Sequence, residues 1–207
     1  MQINEILEQV QIGLLQTSWL ERIAVLFGIT QVLLSKKNKQ ANYYFGIISI
    51  LMTMSVLFEA KLYAEILLSM YYLIMSIYGL WYWRSMQDAK PVEITVSSKQ
   101  DWRITGMIVV FGYIGLYLAL RFFTDSDVPI MDAFVSSTAW AGMWLLAKRK
   151  LENWILLNIS NLVAIPLLFY KGLFLFAFLT IFLFIIAIFG YFDWKRMMHT
   201  AKKQAYV

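Results

Sequence analysis

Glu152-Asn153-Trp154-Ile155-Leu156-Leu157-Asn158-Ile159-Ser160-Asn161 opens a run of about twenty mostly apolar residues, long enough to span a bilayer. Trp154, Asn158 and Asn161 stand at i, i+4 and i+7, so a helix puts them on one face. A bilayer offers no water to satisfy two carboxamides, so that face must meet other helices or a water-filled cavity. The stretch therefore predicts a membrane helix with a polar stripe turned inward. Two roles fit the stripe: glue between helices, or a seat for a flat, hydrogen-bonding, cationic ligand with Trp154 as its stacking ring.

The rest of the chain agrees with a membrane setting. Of 207 residues, 60% are hydrophobic, and the charged share is 15% against roughly 25% in soluble domains. The absence of Cys excludes disulfides, thiol catalysis and thiolate metal sites, and the single His199 lies in the basic tail. No metal or cofactor site is expected. Residues 1–18 lack a basic start and carry Glu5 and Glu8, so they do not read as a cleaved signal peptide. Their Ile3, Ile6, Leu7, Val10, Ile12 and Leu14 predict a short helix lying at the membrane surface.

Seven spans follow: Trp19–Ser35, Asn42–Phe58, Leu62–Trp83, Ile104–Phe123, Ile130–Ala147, Trp154–Tyr170 and Leu173–Trp194. The loops after spans one, three, five and seven hold fourteen Lys and Arg; the opposite side holds four. That bias places the N-terminus outside and the C-terminus in the cytoplasm. It also accounts for the basic tail, so no nucleic-acid partner is expected.

The sequence repeats. Leu33-Leu34-Ser35-Lys36-Lys37 resembles Leu145-Leu146-Ala147-Lys148-Arg149, an offset of 112 that sets Gly46 on Asn158 and Ser49 on Asn161. After a one-residue gap, Tyr78-Gly79-Leu80-Trp81-Tyr82-Trp83-Arg84 matches Phe189-Gly190-Tyr191-Phe192-Asp193-Trp194-Lys195. The reading is an all-α integral membrane protein of seven helices in a 3+1+3, SWEET-like parallel-repeat plan, with substrate at the repeat interface. Its parts are an interfacial helix over 1–18, a first repeat over 19–84, a connection and linker helix over 85–129, a second repeat over 130–196, and a basic tail over 197–207.

Other spans carry polar faces. Glu65, Ser69, Tyr72 and Ser76 form one stripe on span three; Ser137, Trp140 and Trp144 share a face of span five. A carboxylate inside a span costs roughly 2.5–3.5 kcal/mol and marks a function or a pairing. Span two offers Gly46, Ser49 and Thr53, small residues that let helices approach. Span seven is almost wholly Phe, Leu and Ile and reads as lipid-facing or an oligomer contact. Pro166 is expected to kink span six. The substrate-contacting set is Trp154, Asn158, Asn161, Tyr72, Ser69, Glu65, Trp140, Ser137 and Trp144. Such a pocket suits an aromatic, positively charged, hydrogen-bonding small molecule. No Gly-rich phosphate loop is present, and the carboxylates are scattered rather than paired, so facilitated diffusion is simpler than an ATPase or an enzyme. A structural or sensory subunit is the alternative from a different class.

The chain resembles the PnuC family of vitamin transporters over about Trp19 to Arg196. The resemblance is carried by Tyr72, by Ile77-Tyr78-Gly79-Leu80-Trp81-Tyr82-Trp83, by Asp132-Ala133-Phe134, and most of all by Trp144 through Trp154. It implies a bacterial inner-membrane protein, a homotrimer, and diffusion drawn inward by cytoplasmic phosphorylation of the substrate. The nicotinamide riboside branch carries Trp-x-x-Trp at the start of span six. Here the second position is Leu157, and Trp154-x-x-x-Asn158 is similar to the thiamine-transporting branch. Thiamine is therefore the expected substrate, with nicotinamide riboside the alternative and riboflavin third.

Overall fold

Ser18 and Ser98 each begin a helix in the same way. The serine Oγ accepts the N–H of the residue three later, and that residue's carboxylate, Glu21 or Asp101, accepts the serine N–H. The computed structural model describes residues 18–59, 63–85, 93–124 and 126–204, with Glu8, Gln11 and Ile12. Among these residues stand helices α1 (Trp19–Lys36), α2 (Asn42–Glu59), α3 (Tyr63–Ser85), α4 (Lys99–Phe123), α5 (Pro129–Ala147), α6 (Asn153–Tyr170) and α7 (Phe174–Gln204). The expected surface helix over 1–18 lies outside the described residues. Helix α4 starts five residues earlier than the hydropathy suggests because Ser98 caps it. Helix α7 runs past Trp194, where Met198 is still buried in the core. Helix α6 continues through Pro166 to Tyr170.

Helices α2, α4, α5, α6 and α7 are each long and apolar enough to cross a membrane. Helix α1 carries Glu21, Arg22, Gln31 and Lys36, and α3 carries Ser69, Tyr71, Tyr72, Ser76 and Arg84, so hydropathy alone does not mark them. Packing places them beside the others: α1 lies between α2 and α7, and α3 between α2 and α5. The contacts form a closed ring in the order α1, α2, α3, α5, α6, α7 and back to α1. Helix α4 lies outside the ring against α5, and its Met107, Val110, Phe111, Ile114, Leu118 and Phe122 form an exposed apolar stripe.

Positions 111 apart make matching contacts around this ring, except that the acceptors of the two paired tryptophans, Ala147 and Ser35, are 112 apart. Trp83 Nε1 donates to the Ala147 carbonyl at 3.0 Å, and Trp194 Nε1 donates to the Ser35 carbonyl at 2.9 Å. Tyr43 meets Trp83 edge-on at 5.1 Å, and Trp154 meets Trp194 edge-on at 5.6 Å. Ser49 Oγ donates to the Ala24 carbonyl, and Ser160 Oγ to the Val135 carbonyl, both at 2.7 Å. Asn42 and Asn153 are fully buried, and their Nδ2 groups donate to the carbonyls of Lys39 and Lys150. Helices α1 and α5 each end in a left-handed residue, Asn38 at φ 54° and Arg149 at φ 53°. The offset of 112 read from Leu33–Lys37 is therefore one residue out. A single offset of 111 needs no gap, and it sets Gly46 on Leu157, Ser49 on Ser160, Ile47 on Asn158 and Ile50 on Asn161. Over Leu33–Lys37 alone the register of 112 matches better residue by residue, and the contacts of Asn42, Tyr43 and Ser49 reveal 111.

The residues ahead of α4 clamp onto the turn between α5 and α6. Thr95 N–H donates to the Arg149 carbonyl and Leu151 N–H to the Thr95 carbonyl. The Glu152 carboxylate accepts from Ser97 N–H at 2.9 Å and Oγ at 2.7 Å. Burial lowers the Arg149 pKa to about 10, so it stays charged at neutral pH, with its guanidinium 3.5 Å above the Trp83 ring. Tyr43, Trp83, Trp154 and Trp194 belong to one buried cluster with Ile94, Leu146, Leu151 and Met198, which closes this basic end of the bundle.

Candidate functional site

Trp154 is the second residue of α6, one turn beyond the Lys148–Lys150 loop. Its indole lies on Gly190 of α7: a Cβ there would come within 2.8–2.9 Å of the ring atoms Cε2, Cζ2 and Cδ2. That contact leaves the ring 2% exposed. One turn further, Asn158 lies on the same face. The two residues line an open groove of about 290 Å³ between α6 and α7, completed by Ile155, Ile159, Leu162, Phe184, Ile188, Tyr191 and Phe192, most of them exposed on its outer side. This volume is at the small end of ligand pockets, roughly 300–1,000 Å³.

The cavity is apolar except for two groups without partners. Trp154 Nε1 has no acceptor, and Asn158 Oδ1 has no donor, although both atoms are buried. Leaving a buried polar atom unmade costs about 1–3 kcal/mol. One donor and one acceptor thus belong to side chains a helical turn apart that line the groove, each atom itself covered by its neighbours. A ligand edge that presents an acceptor beside an N–H, such as a primary carboxamide or an aminopyrimidine, complements that pair.

The remaining expected residues do not gather here. Asn161 follows on α6 and is half-buried, but it does not line the cavity. Tyr72 and Ser69 are on α3, which packs against α2 and α5 rather than α6. The Glu65 side chain lies outside the described part of the structure. Trp140 stacks on Tyr71 at 4.5 Å with the planes 21° apart, and the Tyr71 hydroxyl donates to the Trp140 carbonyl. Ser137 is fully buried, and its Oγ donates to the Phe134 carbonyl. Ser137 and Trp140 face Gly112 of α4, and Trp144 packs with Ile108 and Val109 of α4. The shared face of span five is thus divided between α3, through the Tyr71–Trp140 stack, and the linker helix α4.

Helix α7, read as lipid-facing or an oligomer contact, also supplies one wall of the groove, with Ile188 and Phe192 exposed on its outer side. Phe184, Ile188 and Tyr191 recur at i, i+4 and i+7, a signal hidden because the rest of the helix is equally apolar. Leu157, the residue on which the substrate expectation turned, does not line the cavity. It packs onto Gly142 of α5, where a Cβ would lie 2.8 Å from Leu157 Cγ.

The pattern described as nicotinamide mononucleotide transporter matches residues 18–196. The nicotinamide riboside transporter PnuC of Escherichia coli (strain K12) is 22% identical over 200 residues, covering 83% of this chain and 84% of that one. The protein of the same name from Neisseria mucosa is 26% identical over 157 residues, covering 72% of this chain and 59% of its own. Among solved structures, the crystal structure of the vitamin B3 transporter PnuC aligns with a TM-score of 0.69 at 22% identity, over 94% of this chain and 90% of that one. That likeness speaks for the fold. With the family pattern spanning nearly every helix, the chain belongs to the nicotinamide mononucleotide transporter family, the PnuC family of membrane vitamin transporters.

Proposed function

We propose that the protein carries nicotinamide riboside, or a closely similar pyridine nucleoside, across the bacterial inner membrane. The observation that carries this reading is the unpartnered pair in the cavity, Trp154 Nε1 and Asn158 Oδ1. A nicotinamide carboxamide accepts at its oxygen and donates at its nitrogen, so it satisfies both. Its cationic ring gains about 0.5–2 kcal/mol from a well-placed aromatic face. The relatives' names point the same way. Thiamine is the second reading, favoured by the Trp154-x-x-x-Asn158 spacing, since its aminopyrimidine edge also pairs an acceptor with a donor. The case for it rested on Asn158, which lines the groove, and on Leu157 where the nicotinamide riboside branch carries a second Trp, and Leu157 packs on Gly142 of α5. Riboflavin is the third reading, and its uncharged ring system lacks the cation that an aromatic wall would favour.

The reading includes three further elements. The basic loops and the closed aromatic cluster lie on the cytoplasmic side, with the N-terminus outside. Helices α1–α3 and α5–α7 act as two parallel repeats, supported by contacts recurring at one offset around the ring. Transport runs downhill, with trapping by cytoplasmic phosphorylation, in a homotrimer of the kind the family resemblance implies. Calorimetric titration of the purified protein, followed by uptake into proteoliposomes, tests the substrate. Nicotinamide riboside should bind and be taken up. Binding of thiamine with no response to nicotinamide riboside would overturn the lead reading in favour of the second.

A further inference from the structure

Trp154 is held by α7 more tightly than a lining residue needs. One face of the indole rests on Gly190 with no room for a methyl group, and Trp194 meets the ring edge-on at 5.6 Å. Trp194 is itself fixed: it is fully buried, and its Nε1 donates to the Ser35 carbonyl at the end of α1. The indole is therefore gripped between Gly190 and Trp194, and its N–H is left without a protein acceptor. A ring held this way keeps its hydrogen-bonding edge in one place before any ligand arrives, which lowers the cost of binding.

We infer that Gly190 and Trp194 are positioning residues for substrate recognition. Gly190 sets how deep the Trp154 ring sits, and Trp194 ties that position to α1. The inference rests on the reading of Trp154 as a substrate-contacting ring. The same grip recurs at Tyr43, Gly79 and Trp83, where a Cβ on Gly79 would lie 2.5–2.7 Å from the tyrosine ring. That copy is not among the residues lining the α6–α7 cavity, so it supplies an internal control with equal steric demand and no ligand.

The test uses full-length protein with three variants and two readouts. Circular dichroism reports the exciton coupling of the Trp154–Trp194 pair, assigned by its loss in Trp194→Phe. Calorimetry reports affinity for nicotinamide riboside and for thiamine. Gly190→Ala should abolish the coupling and weaken binding about tenfold. Gly79→Ala should lower the melting temperature and leave coupling and affinity unchanged. Unchanged coupling and affinity in Gly190→Ala would overturn the inference, as would an equal loss of affinity in Gly79→Ala. If Gly190→Ala does not fold, it is repeated in a Trp154→Phe background, where the smaller ring leaves room for the methyl group. There the added loss should be under about twofold, and a full tenfold loss counts against the inference. Should wild-type protein bind neither vitamin, the substrate reading fails, while the dichroism still decides whether Gly190 positions the ring.

Discussion

Replacing Asn158 by Leu should move stability and binding in opposite directions. The two side chains are similar in volume, and the site is walled by Ile155, Ile159, Leu162, Phe184 and Ile188. In the ligand-free protein Asn158 Oδ1 is buried without a donor, a penalty of about 1–3 kcal/mol. Asn158 as a whole is only half-buried, so the lower half of that range applies. Leu removes the penalty and adds apolar contact, and the variant should be about 1 kcal/mol more stable than wild type. The same change removes the acceptor a bound carboxamide needs. Binding should weaken by about 1–3 kcal/mol, a factor of roughly 5 to 150 in Kd. Thermal unfolding in detergent measures the first effect, and calorimetric titration with nicotinamide riboside and with thiamine measures the second. A less stable Asn158→Leu protein with wild-type affinity would refute the reasoning. It would mean that the amide serves helix packing and the cavity is not the site.

Trp154→Ala should cost at least as much binding, but truncating a buried Trp also destabilises by about 3–5 kcal/mol. Trp154→Phe is the cleaner variant: it keeps a ring, loses the Nε1 donor, and should weaken binding by about 1–2 kcal/mol in the same titration. Leu157→Trp introduces the family's second Trp, yet it meets Gly142 on α5 and should lower stability by about 1–3 kcal/mol without adding a ring to the cavity. A rise in nicotinamide riboside affinity in that variant, measured against thiamine, would show position 157 to be a direct contact. Trp83→Phe and Trp194→Phe each delete one bond between α3 and α5 or between α7 and α1, and each should cost about 1–2 kcal/mol. Denaturant titration compares them; a large loss in one and none in the other would argue against equivalent repeats.

Three helix starts were legible in the sequence because hydropathy marks them, whereas the start of α4 depends on the Ser98 cap and α7 runs on beyond its apolar stretch. Asn42, Pro129 and Asn153 each open or precede an apolar run, and the observed helices begin within a residue of expectation there. The inward stripe of α6 was legible for the same reason: amides are rare in such a run, and periodicity assigns their face. Partners were harder to foresee. Helix α5 has small, hydroxyl and tryptophan residues on several faces, and nothing in its own sequence says that α4 covers the Ser137, Trp140 and Trp144 side. The cavity wall on α7 was invisible because an apolar lining and a lipid-facing surface use the same residues. The repeat register failed by one residue for a related reason. It was fitted to a doublet-rich stretch, whereas Asn42 with Asn153 and Ser49 with Ser160 fix it once their bonds are known.

The two helix crossings near the start of α2 and α6 place their one large side chain on opposite partners. Where α1 meets α2, Gln31 fills the space left by Gly46; where α5 meets α6, Leu157 fills the space left by Gly142. Converting one solution into the other takes two substitutions, and their order matters. Enlarging first puts two bulky groups into a gap where even a single Cβ lies under 3 Å from its neighbour. Shrinking first leaves only a void, which a membrane protein of ordinary stability survives. A hybrid that pairs α1 with α6 would set Gln31 against Leu157, so the halves are no longer interchangeable parts.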